Sequence, residues 1–179
     1  MAHPKTNKVI LFGDCGVNPE PDFEQLEAIA KQCMHTWKHL QNEKPKLAFL
    51  SFSTKGSANH PSLDKVKKAA ELFQKNNPEE ISDGELQFDA AWNHSIQIQK
   101  APKSPLSGEA NCFIFPDLNS GNIAYKIIQQ LAGYHAFGPI LQGFSKPLMD
   151  LSRGSTVQDI IYTAKIAGAL SLQSVNNSH

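Results

Sequence analysis

Val9-Ile10-Leu11-Phe12-Gly13-Asp14, followed by the proline-broken turn Asn18-Pro19-Glu20-Pro21 and then by Phe23, Leu26, Ile29, Ala30 and Cys33, decides the fold class. Four apolar residues closed by Gly-Asp make a short buried strand. The apolar positions after the turn recur at helical spacing, with Asp22 placed as the N-cap. The same strand-turn-helix unit returns downstream. Leu47-Ala48-Phe49-Leu50-Ser51-Phe52 reads as a strand, a Ser/Thr/Gly loop follows, and Ser62 starts a helix through Val66, Ala69, Ala70 and Phe73 that Pro78 ends. Glu85-Leu86-Gln87-Phe88 is a third short strand leading into a helix near residues 90–99, and residues 100–109 form a Pro/Ser/Gly loop. A strand at 110–115, a helix at 119–131, a strand or buried extended piece at 138–144 and a closing helix at 155–172 complete the pattern. Such alternation predicts an α/β layered sandwich with a largely parallel central sheet. The expected organisation is an irregular N-terminal segment (1–8), a single α/β domain (9–173) and a frayed tail (174–179).

At 179 residues, 40% hydrophobic and 19% charged, the chain has the composition of one globular domain. Seventeen acidic groups balance seventeen basic ones, so bulk charge points to neither nucleic acid nor a membrane surface as partner. Cys15, Cys33 and Cys112 are odd in number and far apart, which argues against a disulfide framework or zinc ribbon and for buried reduced thiols. No apolar run has the length of a membrane span and the first residues lack a signal-peptide apolar region, so the expected location is cytoplasmic.

Arg153 is the only arginine, set in Asp150-Leu151-Ser152-Arg153-Gly154-Ser155; every other cationic side chain is a lysine. A guanidinium offers a planar, permanently charged fork that lysine lacks, and its neighbours Ser152, Asp150 and Asp159 are groups used in acyl and phosphoryl chemistry. Avoidance of arginine throughout would explain one survivor without a role. Ser155 and Gln158 have capping-box spacing, and Asp159 falls in the first turn of the closing helix, where the macrodipole favours a carboxylate. That alone accounts for Asp159; beside Ser152 and Arg153 it also becomes a candidate base.

Ligands in open α/β sheets bind beyond the carboxyl ends of the strands. Two more turns there carry suitable groups. Ser51-Phe52-Ser53-Thr54-Lys55-Gly56-Ser57 offers hydroxyls, amides and a lysine without Walker order, and reads equally as a phosphate cradle or a solvated turn. Phe115-Pro116-Asp117-Leu118-Asn119-Ser120-Gly121-Asn122 places Asn119 as a helix N-cap and Gly121 where a ligand could approach closely. His35 and His39 share a helix face at i, i+4, but no third ligand is evident and no metal is expected.

Lys100-Ala101-Pro102-Lys103-Ser104-Pro105-Leu106-Ser107-Gly108-Glu109-Ala110-Asn111, then Phe113-Ile114-Phe115-Pro116-Asp117-Leu118-Asn119-Ser120-Gly121-Asn122-Ile123-Ala124-Tyr125-Lys126, Gly138-Pro139-Ile140-Leu141-Gln142-Gly143 and Lys146-Pro147 through Ser152-Arg153-Gly154 closely resemble the C-terminal half of the phosphate acetyltransferase (phosphotransacetylase) and phosphate butyryltransferase family. Asp83-Gly84-Glu85-Leu86-Gln87-Phe88-Asp89 and residues 51–57 fit the same pattern. The resemblance implies reversible acyl transfer between coenzyme A and phosphate, giving acetyl phosphate, on a fold shared with isocitrate and isopropylmalate dehydrogenases and assembled as a homodimer. It implies no cofactor, coenzyme A being a substrate. It further implies that Asp159 removes the thiol proton, Ser152 hydrogen-bonds near the thiol, Arg153 grips the phosphoryl oxygens, and Asn119, Ser120, Tyr125 and Lys126 line the coenzyme A side. Met149 stands where the family usually carries asparagine. The family's N-terminal half supplies further arginines and a second cleft wall, so this chain is expected to carry one wall only. Two other readings stay open: an inactive module of the same family that binds coenzyme A or self-associates, and, more weakly, a dehydrogenase of the same fold, against which the lack of a metal-holding aspartate cluster counts. Acetyl and butyryl specificity are not distinguished.

Overall fold

The computed structural model describes residues 1–176, and residues 177–179 of the expected tail lie outside it. Four strands, β1 (Leu11–Gly13), β2 (Lys46–Leu50), β3 (Ile81–Leu86) and β4 (Cys112–Ile114), form a parallel sheet in the order β1-β4-β2-β3. Side chains alternate across it. Leu47 and Phe49 of β2 and Cys112 and Ile114 of β4 enter one apolar cluster, while Ala48, Leu50, Phe113 and Phe115 enter the other. A sheet buried on both faces needs apolar residues at every strand position, which is why these strands read as continuous apolar runs.

The first face is covered by α1 (Phe23–Leu40) and α2 (Asp64–Asn76). Leu26, Ala30, Cys33, Met34 and Trp37 of α1 meet Val66, Ala69, Ala70 and Phe73 of α2 over Leu47 and Phe49. Phe49, Phe73 and Phe113 are fully buried, each contributing about 1.5–3 kcal/mol by leaving water. Asp22 caps α1 as expected: it accepts from the Gln25 N–H at 2.8 Å, and Gln25 Oε1 accepts from the Asp22 N–H at 2.9 Å. A 3-10 turn at Pro61–Leu63, capped by His60, leads into α2. The opposite face packs on α3 (Phe88–Trp92) and on the loop after α4 (His94–Lys100), which itself lies against α3.

Several elements differ from expectation. The third strand begins at Ile81, four residues before the expected Glu85, because Ser82 and Asp83 are polar yet buried and hide the strand from a hydrophobicity reading. The single helix expected near 90–99 is two, since Asn93 leaves helical geometry and caps α4 through Ser95 and Ile96 N–H. Residues 138–144 contribute only β5 (Ile140–Leu141), which pairs antiparallel with β6 (Leu148–Met149) outside the main sheet. Helix α5 (Leu118–Ala132) ends at Gly133, whose φ of 67° suits a glycine C-cap. The closing helix α6 (Val157–Asn176) starts after Thr156 and is assigned through Asn176. The segment 1–8 is tied down, with Ala2 bridging Val9 and His135.

The β5-β6 hairpin and α6 sit on α1. Gln142 Nε2 donates to Gln32 O at 2.9 Å and to the Thr36 hydroxyl at 2.5 Å, and the Phe137 and Tyr162 rings lie 4.9 Å apart. No helix among the described residues is long and apolar enough to cross a membrane.

Candidate active site

Two of the turns that the sequence singled out, 51–57 and 115–122, follow the carboxyl ends of β2 and β4, and the third, 150–159, follows β6 outside the main sheet. Closest to β1 is a loop whose organiser escaped the sequence reading. Asp14 Oδ1 accepts from the Gly16 and Val17 N–H groups at 2.7 and 3.1 Å, and Oδ2 accepts from Asn18 N–H at 2.8 Å and Asn18 Nδ2 at 2.7 Å. One carboxylate thus folds the loop into a fixed hook. The Asp-x-Gly-x-Asn pattern carried this signal, hidden inside a stretch that reads only as a proline-rich turn.

That hook touches both candidate clusters. On one side, Asn122 Nδ2 donates to Cys15 O at 3.1 Å, and Gly121 lies so close that an added Cβ would stand 2.3 Å from Asp14 O. The space at Gly121 is therefore filled by the chain's own backbone rather than kept open for a ligand. On the other side, Gly16 approaches the ring of Pro139, whose carbonyl accepts from Asp150 N–H at 3.2 Å.

Helix α5 is capped by Asp117 and not by Asn119. The Asp117 carboxylate accepts from Ser120 N–H at 2.8 Å, while Ser120 Oγ donates back to Asp117 O at 2.8 Å. The Asp117-x-x-Ser120 spacing gives the cap two residues before the Asn-Ser-Gly-Asn cluster that drew attention. Asn119 is left exposed in the first turn, free to face a ligand. One turn on, Lys126 Nζ lies 2.7 Å from the Tyr125 hydroxyl and 4.7 Å from its ring centroid, so the ammonium is already aimed along the tyrosine.

The start of α6 is built by Thr156 and Asp159, one residue later than the Ser155/Gln158 pair. Asp159 Oδ2 accepts from Thr156 N–H and from the Thr156 hydroxyl, both at 2.8 Å, and Thr156 Oγ1 accepts from Asp159 N–H at 3.2 Å. Both pairs fit the capping-box pattern; a carboxylate outranks an amide at the positive end of the helix. Asp159 is buried at 7% exposure. Its Oδ1 takes part in no described hydrogen bond. In front of it, Ser152 and Arg153 are exposed on a tight turn closed by Ser155 N–H to Ser152 O at 2.9 Å, with Ser152 Oγ accepting from Gly154 N–H at 3.3 Å. Arg153 is in no ion pair among the described residues. Ser152, Arg153 and Asp159 thus share one helix entrance, while Asn119, Ser120, Tyr125 and Lys126 share another; the Asp14 hook contacts the α5 entrance and, through Pro139, the strand of chain leading to α6.

The turn 51–57 resolves differently from a phosphate cradle. Glu85, buried at 3% exposure, accepts from Gly56 N–H at 2.7 Å and from the Ser53 hydroxyl at 3.0 Å; Ser53 Oγ in turn accepts from Ala58 N–H at 3.1 Å. An internal carboxylate occupies the place an anion would take, so the turn is a structural corner. Lys55 is drawn to Asp83 and to Gly84 O. Of the thiols, Cys15 and Cys33 are both pushed up to about 12, by burial first and then by neighbouring negative charge, and Cys112 is raised well above its ordinary value by burial. None serves as a nucleophile in this state. Burial and the neighbouring His39 hold the His35 imidazole below its usual value, and among the described residues no group of three His, Cys, Asp or Glu side chains is placed to hold a metal.

The family model for phosphate acetyl/butaryl transferase matches residues 1–168. The chain belongs to the phosphate acetyl/butaryl transferase family. It is 51% identical over 155 residues to a phosphate acetyltransferase of Thermoanaerobacterium thermosaccharolyticum, covering 87% of this chain and 47% of that protein. It is 48% identical over 157 residues to one of Paracoccus denitrificans, covering 88% and 49%. Its structure superposes on a phosphotransacetylase from Streptococcus pyogenes with a TM-score of 0.90 at 47% identity, covering 97% of this chain and 52% of that one. The chain spans about half the length of the relatives it matches, and the α/β architecture with its mostly parallel sheet is that of solved phosphotransacetylases.

Proposed function

We propose that this chain carries one wall of a cleft in which an acyl group passes between coenzyme A and inorganic phosphate, acetyl-CoA plus phosphate giving coenzyme A plus acetyl phosphate. The observation that carries the reading is the α6 entrance: a buried, oriented carboxylate behind an exposed Ser152-Arg153 turn, in a family member. In the thioester-forming direction the thiol sulfur attacks the carbonyl carbon of acetyl phosphate, the carbon–oxygen bond to phosphate breaks, and the thiol proton passes to Asp159 Oδ1. A free thiol titrates near 8.5, so a positioned base raises the thiolate share at the moment of attack, worth roughly 100- to 10,000-fold. Thr156 fixes the carboxylate through Oδ2 and leaves Oδ1 for the proton. Ser152 hydrogen-bonds at the developing charge, and the Arg153 fork holds the phosphoryl oxygens. Asn119, Ser120, Tyr125 and Lys126 would receive coenzyme A at the α5 entrance, Lys126 as a point charge for a phosphate oxygen.

A homodimer and a cytoplasmic location belong to the same reading. The former is supported by Ile123, Ile127 and Leu131, a stripe at i, i+4, i+8 of α5 that is 56%, 51% and 85% exposed.

A second reading, an inactive module that binds coenzyme A, is favoured by one observation: Arg153 is the chain's single guanidinium, and one fork is little to neutralise a phosphoryl group. Steady-state thioester formation at 233 nm separates the two. The isolated chain is expected to turn over orders of magnitude more slowly than the chain joined to the N-terminal half of a relative, and that chimera is expected to be active. An inactive, folded chimera would favour the binding module; full activity in the isolated chain would remove the need for a second wall.

A further inference from the structure

The Asp14 hook touches the α5 entrance at Gly121 and Asn122 and, through Pro139, the chain that leads to α6. Its surface differs in kind from either entrance. Asn119, Ser120, Tyr125 and Lys126 on one side and Ser152, Arg153 and Asp159 on the other are polar or charged. On the hook, Asp14 has both carboxylate oxygens engaged by loop N–H groups and by Asn18, Gly16 has no side chain, and Val17 stands out at 57% exposure. A single exposed valine needs no explanation. Two further facts give this one a place. Gly16 brings the exposed ring of Pro139 alongside, since a Cβ added at Gly16 would stand 3.7 Å from Pro139 Cβ and 3.9 Å from its Cγ. Two exposed apolar groups, Val17 and Pro139, therefore flank Gly16. The position of Val17 is also fixed, its N–H donating to Asp14 Oδ1 at 3.1 Å, and a β-branched side chain has little χ1 freedom with which to swing aside.

We propose that Val17 packs against the alkyl part of the acyl group and limits its length, so that acetyl is transferred in preference to butyryl. The inference rests on the acyl-transfer reading and deepens it by naming the residue that chooses the acyl chain. In that reaction the carbonyl carbon lies between the thiol sulfur, brought from the α5 side, and the phosphoryl oxygen, held on the α6 side. The alkyl substituent is the apolar part of the reacting end, and laying it on Arg153, Asp159 or Lys126 would take charges out of water with nothing in return. The hook joins the two entrances and offers Val17 and Pro139 as exposed apolar groups. Butyryl is longer than acetyl by two methylenes, and valine is larger than alanine by two carbons, so Val17→Ala opens the room that the longer chain needs. A single methylene in an apolar pocket discriminates between substrates by about 10- to 200-fold.

The test compares two substrates on one protein. kcat/KM for acetyl phosphate and for butyryl phosphate is read from thioester formation at 233 nm, with the full chain at high concentration and with its chimera to the N-terminal half of a relative. Val17→Ala is expected to raise the butyryl-to-acetyl ratio at least about 10-fold, and Val17→Phe to lower it at least about 10-fold. Val17 serves the hook through its N–H, which both variants keep, and more than half of its side chain is in water, so the fold is retained, as circular dichroism checks. A purely structural role would lower turnover of both substrates together and leave their ratio where it was. An unchanged ratio in both variants therefore overturns the assignment, as does a parent protein that transfers butyryl as well as acetyl. No thioester from either acyl phosphate in the parent chimera defeats the acyl-transfer reading and the assignment with it, whereas turnover with a ratio indifferent to Val17 defeats the assignment alone.

Discussion

Cys33 and Cys112 sit in the cluster under α1 and α2, and Cys15 sits in the hook beside Gly121. Burial is the leading reason each thiol resists ionisation, with Cys15 and Cys33 pushed up to about 12. In the unfolded chain they titrate near 8.5–9. A folded value raised above the unfolded one means stability that is complete below about pH 9 and is lost as pH rises from there toward about 12, because the unfolded state releases protons that the folded state retains. Urea midpoints are therefore expected to fall between pH 8 and pH 10.5, and to fall less in Cys33→Ala, measured by tryptophan fluorescence. Equal pH dependence in the two proteins would contradict the assignment. At the same scale, Asp159 was legible in the sequence as both helix cap and candidate base. The hydrogen bonds show that these are compatible, since the capping contacts engage Oδ2 alone.

Helix α5 and the Asp14 hook meet at Gly121, and the element-level account turns on that contact. A methyl at Gly121 would stand 2.3 Å from a backbone carbonyl and 3.2 Å from Cys15 Sγ, and the backbone cannot yield as a flexible side chain would. Gly121→Ala is expected to destabilise the fold by about 1–3 kcal/mol, despite alanine's better helix propensity, worth up to about 1 kcal/mol in the opposite direction. Chemical denaturation checks the sign; a stabilised variant would show that the hook does not seat on α5. Elements with strong periodicity, α1, α2, β2 and β4, were legible because their recurring apolar positions supply most of the buried core. The rest were hidden by chemistry that hydrophobicity does not register. β3 is half polar because Asp83 and Glu85 serve Lys55 and the 51–57 turn. The cap at Asp117 had a rival in Asn119, and that at Thr156 had one of the same spacing in Ser155 and Gln158; only the hydrogen bonds choose between them.

At the scale of the whole molecule, two unlike parts share α1. The four-stranded sheet is covered on both faces, whereas the two-stranded β5-β6 hairpin and α6 leave Val157, Ile160, Ile161 and Tyr162 exposed at 74%, 46%, 42% and 37%. The catalytic candidates belong to the less covered part, and the coenzyme A candidates to the sheet. This division was not legible in the sequence, which reads as one α/β domain over 9–173, since local periodicity says nothing of what covers a helix. The most direct test of the account is the Asp159→Asn substitution in the chain joined to the N-terminal half of a relative, followed by thioester formation at 233 nm. The amide oxygen can still accept from Thr156, so stability should change by less than about 1 kcal/mol. If Asp159 removes the thiol proton, kcat should fall by about 100-fold or more while the acetyl phosphate KM stays nearly unchanged, because the proton transfer is felt in the transition state and hardly in ground-state binding. A kcat near that of the parent chimera would contradict the account and leave Asp159 as the cap of α6 alone.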